Sequence, residues 1–120
     1  MAPKQTPELR AQTDRLLTAV ETELQALELW EESPPASHKL QSTEPFATDT
    51  LAFHQWLQFI MIPGLKHRVK QQQHLPTQIA VSPMAIQVYR GELRRHRQLI
   101  QRLKELDILL SGENPLQGET

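Results

Sequence analysis

The chain has no cysteine. That excludes disulfides, thiolate metal sites and a cysteine nucleophile, and it fits a reducing compartment. Glycine is scarce too, at four residues, and neither a glycine-rich phosphate loop nor a nucleophile elbow is encoded. Aromatic residues make up only 5% of the chain, which leaves few rings for stacking on bases. No apolar run approaches the roughly 18–20 residues that span a bilayer. The opening MAPKQTPELR lacks the apolar core of a signal peptide, so the expectation is a soluble, cytoplasmic protein without a membrane partner. A formal net charge of −1 exerts no dominant pull toward nucleic acid or acidic membranes.

What is present favours helix. Leu dominates the apolar set and Gln and Glu are common, a balance that suits helix over sheet on intrinsic propensity. The 120 residues suffice for one domain that buries roughly two-thirds of its unfolded surface. Charge is divided unevenly: residues 1–60 carry 4 Lys and Arg against 9 Asp and Glu, residues 61–120 carry 9 against 5. The two halves can neutralise each other inside the fold, or the basic half can face a polyanion.

The densest apolar stretch is QSTEPFATDTLAFHQWLQFIMIPGL, residues 41–65, with all three phenylalanines and one of the two tryptophans. Asp49 is the expected N-cap of a helix that is apolar nearly all round and therefore central. Pro63 removes a backbone donor and Gly64 adds freedom, which predicts a kink or break before the helix resumes to about Gln71. Upstream, Thr6, Pro7 and Glu8 open a first helix whose Leu9, Leu16, Leu17, Val20, Leu24, Leu27 and Trp30 share one face. Ser33, Pro34 and Pro35 stop it, which places its end near Glu32. Residues 33–48 carry no period, and Leu40 and Phe46 are expected to pin this loop to the helices. Leu75, Ile79 and Val81 tuck in the connector at 74–81. Ser82 and Pro83 open a short helix, Gly91 marks a bend, and a last stripe from Leu93 to Leu110 stops at Gly112. The fold class is all-α: an antiparallel helical bundle of four helices, five if the kink at Pro63 splits one. It occupies residues 6–112, between disordered tails at 1–5 and 113–120.

Catalytic and metal chemistry find little to work with. His38, His54, His67, His74 and His96 show no i,i+4 pair of histidines and no carboxylate arrangement of ligand type, so no metal and no cofactor is expected. An enzyme would have to centre on Asp49 and His54, with Ser42, Glu44 and Thr50 nearby; that is the third functional reading. Arg90, Arg94 and Arg97 fall along one face of a helix, with Arg95 and Arg102 along another, and Lys66, Arg68 and Lys70 follow the kink. A basic face of this kind supports a second reading, direct RNA binding, although only Tyr89 lies near it for stacking.

The run Ser42, Thr43, Glu44, Pro45, Phe46, followed by Asp49-Thr50, Trp56-Leu57-Gln58 and Ile62-Pro63, resembles the bacterial YqcC-like family. The likeness extends to Trp30, Leu75-Pro76, the step Ala80-Val81-Ser82-Pro83, and Leu103 to Asp107, and so covers residues 8–112. The sequence departs at Gly64, where the family pattern carries arginine. The resemblance implies a small all-helical protein associated through gene neighbourhood with tRNA pseudouridine synthase C. The first reading is therefore a non-catalytic interaction or accessory protein whose partner is another protein, with that synthase as the candidate and tRNA contact left open. Its expected surface comprises Ser42, Thr43, Glu44, Pro45 and Phe46 with Pro63 and Gly64, and the basic face of Arg90, Arg94, Arg95 and Arg97 as a further contact.

Overall fold

A computed structural model describes residues 4–113 of the chain, and they are helical throughout their regular structure, with no strand among them. The tails expected at 1–5 and 113–120 lie outside the described residues except for Lys4, Gln5 and Glu113. Gln5 is already tied to the fold, because its Oε1 accepts from the Leu75 N–H at 2.9 Å.

Helix α1 spans Pro7–Ala26 and starts as its sequence predicts. Thr6 Oγ1 accepts from the Leu9 N–H at 3.0 Å, and Pro7 occupies the first turn. Its end falls at Ala26, six residues before the expected Glu32. The Leu29 N–H reaches back to the Leu24 carbonyl and Glu28 to Gln25, with Glu28 left-handed at φ 59°. That is a Schellman stop made without glycine, and no residue type announces it. Residues 27–35 then run as irregular chain before short 3₁₀ turns at Ser37–Gln41 and Pro45–Ala47.

The central helix is built from α2 (Phe53–Trp56), a π-helical turn at Leu57–Met61 and α3 (Ile62–Lys70). Asp49 is not its N-cap. The helix begins four residues later, where Gln55 Oε1 accepts from the Ala52 N–H at 2.9 Å. Pro63 does not break the helix either. The Ile62 N–H bonds to the carbonyl of Leu57, five residues back, so the turn before the proline is widened and the backbone of Met61 and Ile62 stays helical. The interruption expected at Pro63 is absorbed one turn earlier, as a π-turn. Helix α3 ends in a second glycine-free Schellman stop, with Gln72 at φ 56° and the Gln73 N–H on the Arg68 carbonyl.

Helix α4 covers Ser82–Val88 and α5 covers Arg97–Ser111, ending at left-handed Gly112 as predicted. Most of the fully enclosed core lies on α1 and α5, with Leu57 the central helix's one fully enclosed side chain among the described residues. Leu17, Val20 and Leu24 of α1 and Leu99, Leu103, Leu106 and Leu110 of α5 are fully enclosed, whereas Trp56, Phe59 and Ile60 are half-buried. The most extensive helix contact is α1 on α5, followed by α1 on α3 and α4 on α5. The start of α1 (Gln12, Arg15, Leu16) and the end of α5 (Glu105, Ile108, Leu109) line one groove, so these two helices run antiparallel. Leu75 and Val81 are buried in the connector as expected. No helix among the described residues is long and apolar enough to cross a membrane.

Candidate functional site

The irregular chain after α1 is held on the central helix by side chains one turn apart. Gln58 clasps the Glu31 backbone at two points: its Nε2 donates to the carbonyl at 2.8 Å and its Oε1 accepts from the N–H at 2.9 Å. The Glu31 carboxylate meets His54 Nε2 at 3.1 Å and Gln55 Nε2 at 3.2 Å. Positions 54, 55 and 58 share a face at helical spacing, which is why one loop residue can engage all three. His54 thus holds a loop in place. It does not converge with Asp49.

Asp49 instead closes the next loop, accepting from Ser42 Oγ, while Ser42 Oγ also accepts from the Glu44 N–H at 3.0 Å. Thr50 Oγ1 donates to the Lys39 carbonyl at 2.7 Å. Between these ties Phe46 and Ala47 are both left-handed, at φ 58° and 50°. Such backbone costs about 1–2 kcal/mol per non-glycine residue, so packing must hold it. It does: the Phe46 ring stands edge-on to Trp56 at 4.8 Å, Ala47 is buried, and Phe53 lies 6.1 Å from Trp56 in a stacked arrangement. The aromatic row continues from Phe53 to Tyr89 and ends on His96, whose ring lies 3.8 Å from Tyr89 and parallel to it.

Thr43, Glu44 and Pro45 are exposed on this braced loop, with Ser42 and Phe46 half-buried. Pro63 and Gly64 are exposed about two turns beyond Trp56. Trp56 joins the two groups, because the same ring that packs on Phe46 lines a groove of about 280 Å³ with Gly64, Arg68, Pro76 and Ile79. A side chain at Gly64 would meet nothing within 4 Å, so the glycine serves no packing requirement there.

The basic face differs from its sequence-based picture. Residues 90–96 are not helical in the sense the spacing assumed: Arg90–Glu92 is a 3₁₀ turn, and Leu93, Arg94, Arg95 and His96 form the turn into α5. Arg90, Arg94, Arg95 and Arg97 are all exposed but do not make one helical stripe. Cross-neutralisation of the two halves occurs elsewhere, where Lys66 Nζ lies 3.0 Å from a Glu21 carboxylate oxygen and also donates to Thr18.

One carboxyl escaped sequence reasoning. Asp107, fully buried, accepts from the Val81 N–H at 2.9 Å, the Ser82 N–H at 2.8 Å and Ser82 Oγ at 2.7 Å. Ser82 is therefore the first residue of α4, and the capping group comes from α5, 25 residues away. Burial pushes the Asp107 carboxyl up from its ordinary value, against the pull of these three donors. Among the described residues no group of three or more His, Asp or Glu side chains converges as metal ligands would.

The arrangement is a braced loop beside an apolar groove, in which Glu31, Ser42, Asp49, His54, Gln55 and Gln58 are tied to one another or to backbone. Comparison with known proteins is consistent with the all-helical architecture. The chain is 27% identical to the Escherichia coli protein YqcC of known solution structure, which it matches at a TM-score of 0.77 over 86% of this chain and 88% of that one. An uncharacterized protein of Haemophilus influenzae is 34% identical over 104 residues, 87% of this chain and 97% of that protein. A protein of Pectobacterium carotovorum named tRNA pseudouridine synthase C is 31% identical over 65 residues, 54% of this chain but 17% of that protein. The profile of the DUF446 family, described as tRNA pseudouridine synthase C, matches residues 12–109, and by that match the chain belongs to this family of YqcC-like proteins.

Proposed function

We propose that the chain is a non-catalytic accessory protein of the cytoplasm, a single domain over residues 6–112 that binds another protein and works beside tRNA pseudouridine synthase C. The observation that carries this reading is the lopsided match to the Pectobacterium synthase C: the likeness takes up 17% of that protein, and most of it has no counterpart in this chain. A region of this type is thus found joined to a much larger body under that enzyme's name, and the larger body is where the activity belongs.

The placement of the aspartates supports a non-catalytic role. Asp14 and Asp49 are exposed on the surface, Asp49 is tied to Ser42, and Asp107 is sealed beneath three donors. A catalytic carboxylate needs a cleft that admits its substrate, and none of the three lines the grooves beside α5 or Trp56. The binding surface we assign is Ser42, Thr43, Glu44, Pro45 and Phe46 with Pro63 and Gly64. Its support is the strained, packed loop, since preorganised backbone lowers the ordering cost of binding.

Co-purification tests this. The chain should retain the synthase C of its own cell, and Thr43→Ala with Glu44→Lys and Pro45→Ala should abolish retention while helix content by circular dichroism is unchanged. Failure of the wild-type chain to retain the synthase would sink the partnership. Conversion of uridine in tRNA by the isolated chain would sink the non-catalytic reading.

A further inference from the structure

We propose that the groove between α4 and α5 docks an acidic amphipathic helix of a partner protein. The groove holds about 440 Å³; Ile86, Leu93 and Ile100 give it an aliphatic floor, and Arg94, Arg97 and Lys104 stand around it. Leu93, in the turn between α4 and α5, is 42% exposed, an apolar side chain left open to solvent at the groove.

Charge selects the occupant. Among the described residues, the carboxylate–cation pairs join Glu31 to His54, Glu21 to Lys66 and Glu105 to Arg102, and none involves the three cations of this groove. Glu105 lines the groove shared with α1, and its carboxylate is already engaged by Arg102 and by Gln101 Nε2 at 3.4 Å. No acidic side chain lines the α4–α5 groove at all. A partner with carboxylates therefore meets complementary charge without displacing any existing pair.

The floor argues against a nucleic acid. Phosphates would meet the cations, but bases need rings to stack on, and the groove has none. The nearest rings in sequence, Tyr89 and His96, are stacked on each other at 3.8 Å, and His96 is buried. A helix with leucine-like residues at i, i+3 or i+4 and i+7 fills the aliphatic floor and sets its acidic flanks against the arginines. The proposal deepens the accessory reading by naming the chemistry of a partner segment, and rests on the chain being a binding protein, not on which enzyme it serves.

The full chain is titrated with a labelled synthetic helix of leucine and glutamate, Leu at the spacing above, with a scrambled peptide of equal composition, and with bulk tRNA. The patterned peptide should bind at least about tenfold tighter than the scrambled one, with backbone NMR shifts confined to α4 and α5. Arg94→Glu with Arg97→Glu should weaken it by at least about tenfold, and Leu93→Asp should do the same. Lys104→Gln should have a smaller effect in the same direction, and Arg15→Glu in the other groove should have none. No binding, or equal binding of the scrambled peptide, would overturn the proposal. So would tRNA binding that the same arginine changes abolish, or a dimer of the chain itself that they dissolve. Loss of the synthase in co-purification, with peptide binding intact, would count against the enzyme partnership and leave this groove standing.

Discussion

Asp107 of α5 takes both donors of Ser82, the backbone N–H at 2.8 Å and the hydroxyl at 2.7 Å, and so caps the helix that Ser82 begins. Two segments 25 residues apart are fixed to each other by this one carboxyl. It anchors α4 on α5, which sets the walls of the groove between them. The three donors that point at the carboxyl offset part of the cost of enclosing it.

Removing it should therefore be expensive. Asp107→Ala leaves the Val81 and Ser82 donors buried without partners and should cost on the order of 3 kcal/mol, against about 1 kcal/mol for Ser82→Ala, by urea denaturation. The pH dependence has a definite sign. Burial raises the folded carboxyl above 3.8, so its contribution to stability is complete below 3.8 and is lost as pH climbs through the folded value. The margin of the protein over its Asp107→Asn variant should then shrink from acid toward neutral pH. A margin that widens would mean the three donors outweigh desolvation.

Much of the helical framework was legible because local chemistry decides it. Thr6 and Pro7 start α1, Gly112 ends α5, and the apolar spacing on α1 and α5 picks out the core. What stayed hidden depends on contacts across long separations, or on residues doing another residue's work. Nothing in the type of Glu28 or Gln72 signals a left-handed stop, and Pro34 and Pro35 drew the end of α1 too far along. Asp49 looks like a cap because Asp often is one, yet the Gln55 side chain supplies the tie at Ala52. The motif residues around Phe46 and Trp56 were visible as a pattern, but their edge-on contact depends on a left-handed Phe46 that no periodicity reveals.

The two glycine-free stops can be improved. Glu28 and Gln72 are exposed at φ 59° and 56°, where glycine carries no Cβ penalty. Glu28→Gly and Gln72→Gly should each raise stability by about 0.5–1 kcal/mol, the relieved strain exceeding the added freedom of the unfolded chain. Ala11→Gly, in the body of α1, should lower it by a similar amount. Thermal melts of the three variants suffice, and destabilisation at Glu28 would remove the Schellman assignment.

Tyr89 offers a spectroscopic check because it is the one tyrosine in the chain. Its hydroxyl is buried without a hydrogen-bond partner among the described residues, and burial pushes its ionisation from 10.0 up to about 12. Absorbance of the phenolate should therefore appear well above the range of free tyrosine. The associated stability is complete below 10.0 and drains away as pH rises toward about 12, so alkaline unfolding should follow. Tyr89→Phe should be neutral or slightly stabilising, since it removes an unsatisfied group and keeps the ring on His96.

At Glu31 backbone and side chain can be separated. Gln58→Leu orphans the Glu31 N–H and carbonyl and should cost about 1–3 kcal/mol, with faster hydrogen exchange at the Glu31 amide. Glu31→Ala keeps that clasp and removes only the half-exposed contacts to His54 and Gln55, so it should cost no more than about 1 kcal/mol. Equal losses would mean that the carboxylate, not Gln58, holds the loop.

Adjacent residues of the central helix should separate stability from binding. Leu57 is fully enclosed, and Leu57→Ala should cost about 2–5 kcal/mol. Trp56 is half-buried between Phe46 and the groove beside Gly64, so truncating it leaves a space that water can enter. Trp56→Ala should cost less than the roughly 3–5 kcal/mol of an enclosed tryptophan, yet it withdraws the ring that braces left-handed Phe46. The loop at 42–46 should then loosen, and retention of the partner should fall further than the loss of folding stability explains. If Trp56→Ala instead matched Leu57→Ala in stability and left retention intact, the braced loop would be a feature of folding and the binding surface would have to lie elsewhere.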